Sequence, residues 1–500
     1  MNSEPIKLPF VGPVRPWTAL IGCLFLISTI RVVVIVLGPV ELSADEAQYW
    51  EWSRRLDWCY MTKPPGVALL IRIGTMIFGH TALGVRSWAI VLSLLSSVCL
   101  YRLGTLLYPP AVGLCAALLL QAIPLFSAYG LGMTPDTPLL FFWCWGLLLF
   151  VLAFETQRSQ WWILLSLCLG LGLLCKGAMI YFHVCMVVFL VVDANRRKRL
   201  YDLKMWGALI GSLLFLAPVV IWNWQNDWVM FRHDAVHAHG NEGFQISLPD
   251  CINYLGSQLG AITPVVLVLV VVALIRHRRR CALCFWFSVP ILVFFVVKSL
   301  QSKVQGNWAM VGYISALFPV CAWCLEQWKR FHRSMKNTVI LGLGLSVFIS
   351  SLPHCPWILF HTPVVQRVGS LKKLTGWRQL GQQVSGLSGD VNEPFFIVSN
   401  SYQVAAELAF YMESHPVTYC LYTEGRRMNQ YDLWPGFEDR IGWNALYVTE
   451  SPDPGFCTAF LDNKSHEVVI TDPAGESLRK YIIYELHHFK GSKRIIPKRY

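Results

Sequence analysis

Two acidic motifs stand beside apolar runs, where a carboxylate can reach both water and lipid headgroups. Ser43-Ala44-Asp45-Glu46-Ala47-Gln48-Tyr49-Trp50 follows the first long run, and Thr134-Pro135-Asp136-Thr137-Pro138 lies between the third and the fourth. A carboxylate at the end of a spanning helix is placed for proton transfer on a lipid-linked substrate. Ser43 with Glu46 three positions on is a capping box, which predicts a helix start with Asp45 in the first turn, where the helix dipole favours negative charge. Tyr49, Trp52 or Ser53, and Leu56 then share one face and Glu51 and Arg55 form an i, i+4 pair on another,. This pattern predicts an amphipathic helix lying along the membrane surface with its tryptophans at headgroup depth. Lys63-Pro64-Pro65 ends it, and the apolar stretch from Gly66 to Gly79, too short to span and carrying Arg72, reads as a second interfacial helix,.

Composition fixes the class of protein that must position these residues. The chain is 55% hydrophobic and 14% charged, and its apolar runs of about 20 residues match the length a helix needs to cross hydrocarbon. Eleven spans are expected, roughly at 17–37, 84–107, 111–129, 138–154, 161–176, 177–193, 204–224, 256–275, 282–300, 308–325 and 338–358. The net charge of +12 does not indicate nucleic acid, because the basic residues form short clusters between apolar runs. Arg196 to Arg199, Arg276 to Arg280, and Lys329-Arg330 with Arg333 and Lys336 fall in alternate loops, which the positive-inside rule makes cytoplasmic,. Counting back puts the N-terminus inside and both acidic motifs outside, together with Asn223 to Gly256, Ser299 to Trp308 and everything after about 365. An odd number of spans is required. The first run lacks a following small-residue cleavage site and reads as a retained anchor.

From 365 to 500 the apolar runs shorten to strand length, at 395–398, 417–422, 445–448 and 468–470, with one helical pattern at 404–412. The expected architecture is therefore an all-α polytopic membrane domain over 1–364, with interfacial helices, followed by a small extracytoplasmic α/β domain over 365–500. The 16 cysteines are scattered through apolar segments. Cys281 with Cys284 and Cys321 with Cys324 have metal-site spacing but no second pair, so they read as buried small hydrophobes. No internal repeat is visible.

The ordered set Asp45-Glu46-Ala47-x-Tyr49-Trp50, Lys63-Pro64-Pro65 and Thr134-Pro135-Asp136-x-Pro138 resembles the GT-C type polyprenyl-phosphate-dependent membrane glycosyltransferases. Within that group it is similar to the relatives of protein O-mannosyltransferases, the lipid A aminoarabinose transferases and the rhizobial lipopolysaccharide galacturonosyltransferases. Gly306-Asn307-Trp308, the stretch Ser399 to Glu407 and Tyr431-Asp432-Leu433-Trp434-Pro435-Gly436 extend the resemblance over nearly the whole chain. It implies a sugar donor on an undecaprenyl-type phosphate, an envelope acceptor such as lipid A or lipopolysaccharide core, inversion at the anomeric carbon, and Asp45 as general base. The leaving lipid phosphate needs cationic partners, for which Lys63 is the first candidate, Lys303 the second and Arg72 the third. Asp136 and Asn307 are candidates for holding donor or acceptor, as is Glu46, which can equally be only a capping-box partner.

Each residue also has a plain structural reading. Asp45 can be a helix N-terminal stabiliser, Asp136 a turn residue, Lys63 and Lys303 interfacial anchors. Lys176 reads as the polar tip of a hairpin turn, outside the site. His233 and His237 could share a helix face, with His239, Asp234 and Glu242 close in sequence. They read as a solvated loop, as a donor-phosphate contact through His233, or as a divalent-metal pair; no metal or other cofactor is required. A protein O-mannosyltransferase-like activity is the alternative enzyme, and a transporter or lipid flippase the alternative class. Transporters favour repeated halves and mid-membrane ionisable residues, neither of which is seen here.

Overall fold

The computed structural model describes residues 6–8, 11–239, 246–357, 372–389, 394–423, 427–471, 475, 477–492, 495 and 497. A short hairpin of β1 (Ile6–Leu8) and β2 (Val11–Val14) leads into α1 (Pro16–Leu37), α2 (Ala44–Arg54), α3 (Gly66–Phe78) and α4 (Ala82–Leu107). Among the described residues seven helices are long and apolar enough to cross a membrane: α1, α4, Asp136–Thr156, Leu203–Gln225, Ala282–Ser299, Met310–Gln327 and Arg333–His354. Two bent pairs raise the number to nine, Gly177–Val192 with Ala194–Tyr201 and Leu248–Ile262 with Pro264–His277. The protein is multi-pass.

Each of the eleven expected spans coincides with helix, but not each is an unbroken crossing. The run expected at 256–275 bends by 99° where Thr263, at φ 69°, precedes Pro264. Proline has no N–H to continue the ladder and disfavours helical backbone in the residue before it. The run at 111–129 divides at Ile123-Pro124 for the same reason. Pro110–Ala122 and Ser159–Cys175, at 13 and 17 residues, fall short of the roughly 20 needed for a full perpendicular crossing.

By compactness the chain divides into two units. One comprises residues 1–33, 87–225 and 235–354; the other comprises 34–86, 226–234 and 355–500. This division differs from the linear one at 364/365, because α2 and α3 belong to the same compact unit as the C-terminal segment.

The first unit is helical throughout, apart from the β1–β2 hairpin at its N-terminus. Its core includes an aromatic cluster in which Phe182 and Phe287 meet at 4.9 Å and Trp143, Phe150 and Phe189 pack around them. Cys99, Cys144, Cys168 and Cys185 are buried in the same core as small apolar side chains. Arg31 of α1 is also fully buried. Its guanidinium donates to Ser93 Oγ at 3.0 Å, to the Ser127 carbonyl at 3.3 Å and to His354 Nε2 at 3.3 Å. Burial of a charge demands such donor saturation.

The second unit is built on a five-stranded sheet in the order β4 (Thr418–Cys420), β3 (Phe395–Ser399), β5 (Asn444–Thr449), β7 (Ser477–His487) and β6 (Asp462–Thr471). β3 runs parallel to β4 and β5, whereas β7 is antiparallel to β5 and β6. Ile397, Leu446 and Val448 face one core with the helices Trp377–Gly389 and Tyr402–Tyr411. Phe396, Val398, Ala445 and Tyr447 face the other with Phe437 and Phe489. Covered on both faces, these central strands read as continuous apolar runs.

α2 begins where the capping box places it, but its tryptophans face protein. Trp50 and Trp52 are 0% exposed, because Trp50 packs edge-on against Phe410 of the helix Tyr402–Tyr411 and Trp52 stacks on Tyr60 at 4.4 Å. The expectation of tryptophans at headgroup depth is thereby corrected; the covering helix comes from far along the chain. α3 does keep one apolar face open, with Met76 73% and Ile77 65% exposed, as an interfacial helix requires.

Gly130 closes directly on Arg31: a Cβ there would lie 2.2 Å from the guanidinium carbon. Gly130→Ala is expected to cost about 1–3 kcal/mol, the size of an overpacking penalty, read as a lower thermal midpoint of the detergent-solubilised protein. An unchanged midpoint would refute this packing.

Candidate active site

The start of α2 is held by a dense set of polar contacts. Glu46 N–H donates to Ser43 Oγ at 3.3 Å and Ser43 N–H to Glu46 Oε2 at 3.0 Å, the two halves of the capping box. The Glu46 carboxylate also receives Arg86 in two bonds, Nε to Oε1 and Nη2 to Oε2, each 2.8 Å. Arg86 Nη2 reaches on to the Glu41 carbonyl at 2.9 Å. Glu41 in turn accepts the backbone N–H groups of Trp377 and Arg378, capping that helix, and Leu42 N–H donates to Tyr411 Oη at 2.7 Å. With both oxygens used internally and only 3% of its surface exposed, Glu46 is placed as a strut that orients α2.

Asp45, one residue earlier, is the opposite case. Solvent reaches its side chain, yet desolvation by the surrounding protein raises its carboxyl above the ordinary range. Lys63 opposes that rise, Glu46 adds to it, and Lys373 opposes it again. Tyr402, at the start of its helix, feels the Asp45 charge: burial first, and then Asp45, push its phenol up to about 12. Lys63 is half-buried in the turn before Pro64-Pro65, where its carbonyl accepts Tyr60 N–H at 3.0 Å. Lys373 and Tyr402 were not anticipated from sequence. Tyr402 does stand within the Ser399 to Glu407 stretch, and a lysine between an apolar segment and a helix start carries little signal alone.

In the helical unit Asp136 opens the helix Asp136–Thr156 after Pro135. Its carboxylate receives Lys176 Nζ at 2.6 Å on Oδ1 and Asn307 Nδ2 at 3.2 Å on Oδ2. Asp136 is 7% exposed and Lys176 sits in extended backbone just past Cys175. The expectation that Lys176 is only a turn tip is corrected, since it is the direct partner of a candidate residue. Asn307 joins the cluster as placed from its motif, whereas Lys303, four residues earlier, is exposed.

His233, in the helix Val229–His239, has Nδ1 3.4 Å from Asp234 Oδ1. The side chains of His237 and His239, and Glu242 entirely, lie outside the described residues. Among the described residues no group of three or more His, Cys, Asp or Glu could hold a metal ion. Asp45 and Asp136 fall in different compact units.

Residues 62–222 match the family described as dolichyl-phosphate-mannose-protein mannosyltransferase. Over that stretch the chain is similar to the GT-C type glycosyltransferases. The family match takes in Lys63, Asp136 and Lys176 but ends short of Asn307 and begins after Asp45. Beyond that GT-C match, the chain is 23% identical over 383 residues to the lipid A galacturonosyltransferase RgtD of Rhizobium johnstonii, covering 75% of this chain and 79% of that one. It is 28% identical over 230 residues to the undecaprenyl phosphate-alpha-4-amino-4-deoxy-L-arabinose arabinosyl transferase of Pseudomonas aeruginosa, covering 41% of each. The fold is that of ArnT from Cupriavidus metallidurans bound to undecaprenyl phosphate, with a TM-score of 0.65 at 15% identity over 94% of this chain and 97% of that one.

The Asp136–Lys176 pair yields a stability prediction for the helical unit. Lys176→Met strands a buried carboxylate and is expected to cost about 3–5 kcal/mol. The double variant Lys176→Met/Asp136→Leu should recover most of that loss in thermal unfolding. A single variant as stable as the parent would contradict the pairing.

Proposed function

We propose that the protein is an inverting glycosyltransferase that moves one sugar from a polyprenyl phosphate to an acceptor hydroxyl on lipid A or the lipopolysaccharide core, at the outer face of a bacterial inner membrane. The observation that carries this reading is Asp45: a solvent-reached carboxylate at a helix N-terminus, made more basic by its surroundings, with two lysine charges acting on it. A general base works best when its proton affinity approaches that of the medium, and burial moves Asp45 in that direction.

In the reaction the acceptor oxygen attacks the anomeric carbon as its proton passes to Asp45. The bond from that carbon to the phosphate oxygen breaks, and the lipid phosphate leaves with an additional negative charge. Lys63 and Lys373 are assigned to that charge, with Lys303 and His233 as further phosphate contacts. Fixed cations are most effective where charge grows during the reaction. Asp136 and Asn307 are assigned to binding sugar hydroxyls of donor or acceptor rather than to proton transfer, since Lys176 and Asn307 already occupy the Asp136 carboxylate oxygens. Glu46 contributes by fixing α2. The orientation follows the basic loops: eleven membrane passages, a cytoplasmic N-terminus and an extracytoplasmic segment after 365.

The similarity to a lipid A galacturonosyltransferase favours lipid A over protein as acceptor, while the family description keeps a protein O-mannosyltransferase-like reaction as the alternative. Mass spectrometry of lipid A and of envelope proteins, from cells with and without the gene, separates them. Asp45→Asn is expected to abolish the lipid A sugar while leaving protein abundance unchanged. A stable Asp45→Asn protein that still supports full modification would overturn the assignment, and loss from glycoprotein alone would install the alternative.

The pH profile gives a second check. A base must be ionised, so activity is present above the Asp45 pKa and falls as pH drops through it. Because burial raises that pKa, the acid limb of kcat/KM should lie above the ordinary aspartate value of about 3.9. Lys63→Gln removes a charge that lowers the pKa and should move the limb to higher pH, besides reducing kcat. A limb that stays in place would exclude Lys63 from the surroundings of the base.

A further inference from the structure

The unit that carries α2 also contains a cavity of about 460 Å³, within the ~300–1,000 Å³ range of small-molecule sites. None of the residues assigned above lines it. One wall is a closed ring of contacts rooted in the far end of α2. Arg55 lies 4.3 Å over the Trp434 ring and 3.7 Å from the Glu51 carboxylate. Glu51, 1% exposed, accepts the hydroxyl of Tyr431, whose ring meets Trp434 edge-on at 5.4 Å. Burial pushes the Glu51 carboxyl up to about 7, with Tyr431 and Arg55 opposing. Trp434 is therefore oriented before anything enters the cavity.

The rest of the lining is rich in acceptors. Asp432, Glu438 and Asp453 line the cavity, with Arg55 as the one cation among its described lining residues. Asp453 accepts Tyr447 Oη at 2.6 Å through Oδ2; its other oxygen, and the whole Glu438 carboxylate, carry no hydrogen bond among the described residues. An occupant must offer hydrogen-bond donors to carboxylates and a flat apolar face to fixed aromatic rings. Phosphates and uronates meet an excess of like charge. Acyl chains would leave the carboxylates unsolvated.

We propose that this cavity binds a neutral or amino-bearing sugar ring of the acceptor, at a distance from the hydroxyl that is glycosylated. Its C–H face rests on the aromatic wall and its hydroxyl or ammonium groups donate to Glu438 and Asp453. Arg55 is the C-cap of α2 and follows Asp45 by ten positions, about 15 Å at 1.5 Å per helical residue,, so a single rigid element sets the spacing between the glycosylated hydroxyl and the distal ring. The proposal rests on the glycosyltransferase reading above, and it makes the C-terminal segment a determinant of acceptor choice.

The test uses the full chain carrying Asp45→Asn in lipid nanodiscs, titrated with lactose, with a glucosamine disaccharide and with digalacturonate. Binding is read by saturation-transfer NMR and tryptophan fluorescence. Lactose and the glucosamine disaccharide are expected to bind, and digalacturonate at least about tenfold more weakly. Trp434→Ala should weaken binding by about 3–10-fold, the size of one lost aromatic contact, and Glu438→Gln should weaken the amino disaccharide more than lactose. Trp434→Phe, which keeps a ring, is the substitute if the alanine variant fails to fold. Absence of binding by all three sugars, equal binding of digalacturonate, or binding untouched by both substitutions would overturn the proposal. Because Asp45→Asn removes turnover, this outcome is independent of the reaction itself, whose failure would appear instead as unaltered lipid A in cells.

Discussion

The ion pair of Glu46 with Arg86 is the constraint on which the rest of the Asp45 region depends. Two bonds of 2.8 Å join a residue in the first turn of α2 to one in the first turn or two of α4, and both side chains are almost wholly buried. A buried pair is weak evidence of stability in itself, since desolvation offsets much of the attraction. Its value lies in geometry: Glu46 caps α2 with the same carboxylate that binds Arg86, and Arg86 also ties down the Val40 and Glu41 carbonyls. The strand of chain leading to Asp45 has no freedom left.

That rigidity explains why two carboxylates with similar sequence surroundings come to different chemistry. Asp45 and Asp136 both lie in the first turn of a helix, where partial positive charge stabilises an anion. Asp136 is met by an ammonium at 2.6 Å and a side-chain amide at 3.2 Å, so its charge is neutralised and its lone pairs are largely engaged. Asp45 receives lysine charges only through space, and its proton affinity rises with burial. One is suited to hold, the other to accept a proton.

Helix starts and span positions were legible because they are written in local residue types. Ser43 with Glu46 announced the capping box, and the eleven apolar runs located helix, including the runs that proline later divides. What surrounds those elements was not legible. Trp50 and Trp52 looked like headgroup anchors because nothing nearby in sequence covers them; the covering helix, Tyr402–Tyr411, comes hundreds of residues later. Lys176 looked like a loop tip because its partner stands 40 residues away. β7 escaped because Ser477 to His487 mixes charged and apolar residues, with Arg479, Lys480 and Glu485 set among Leu478, Tyr481, Ile483 and Leu486. Its true neighbours are β5 and β6, and pairing rather than composition makes it a strand.

The charge balance around α2 reaches further than orientation. Glu407 is 1% exposed, neither of its oxygens has a hydrogen bond among the described residues, and burial, then Glu41 and Glu46, hold its pKa well above the ordinary range against Arg479 and Arg86. Burial therefore favours its neutral form in the folded protein. A carboxyl whose folded pKa is raised favours the native state fully at low pH and progressively less as pH climbs toward that folded value. Arg86 commits its guanidinium to Glu46 rather than to Glu407. Ionised Glu46 is in turn one of the charges that raise the proton affinity of Asp45. Replacing Arg86 would thus release α2. Desolvation comes first in making Asp45 basic, and Glu46, the acid of the buried pair that fixes its position, adds to it.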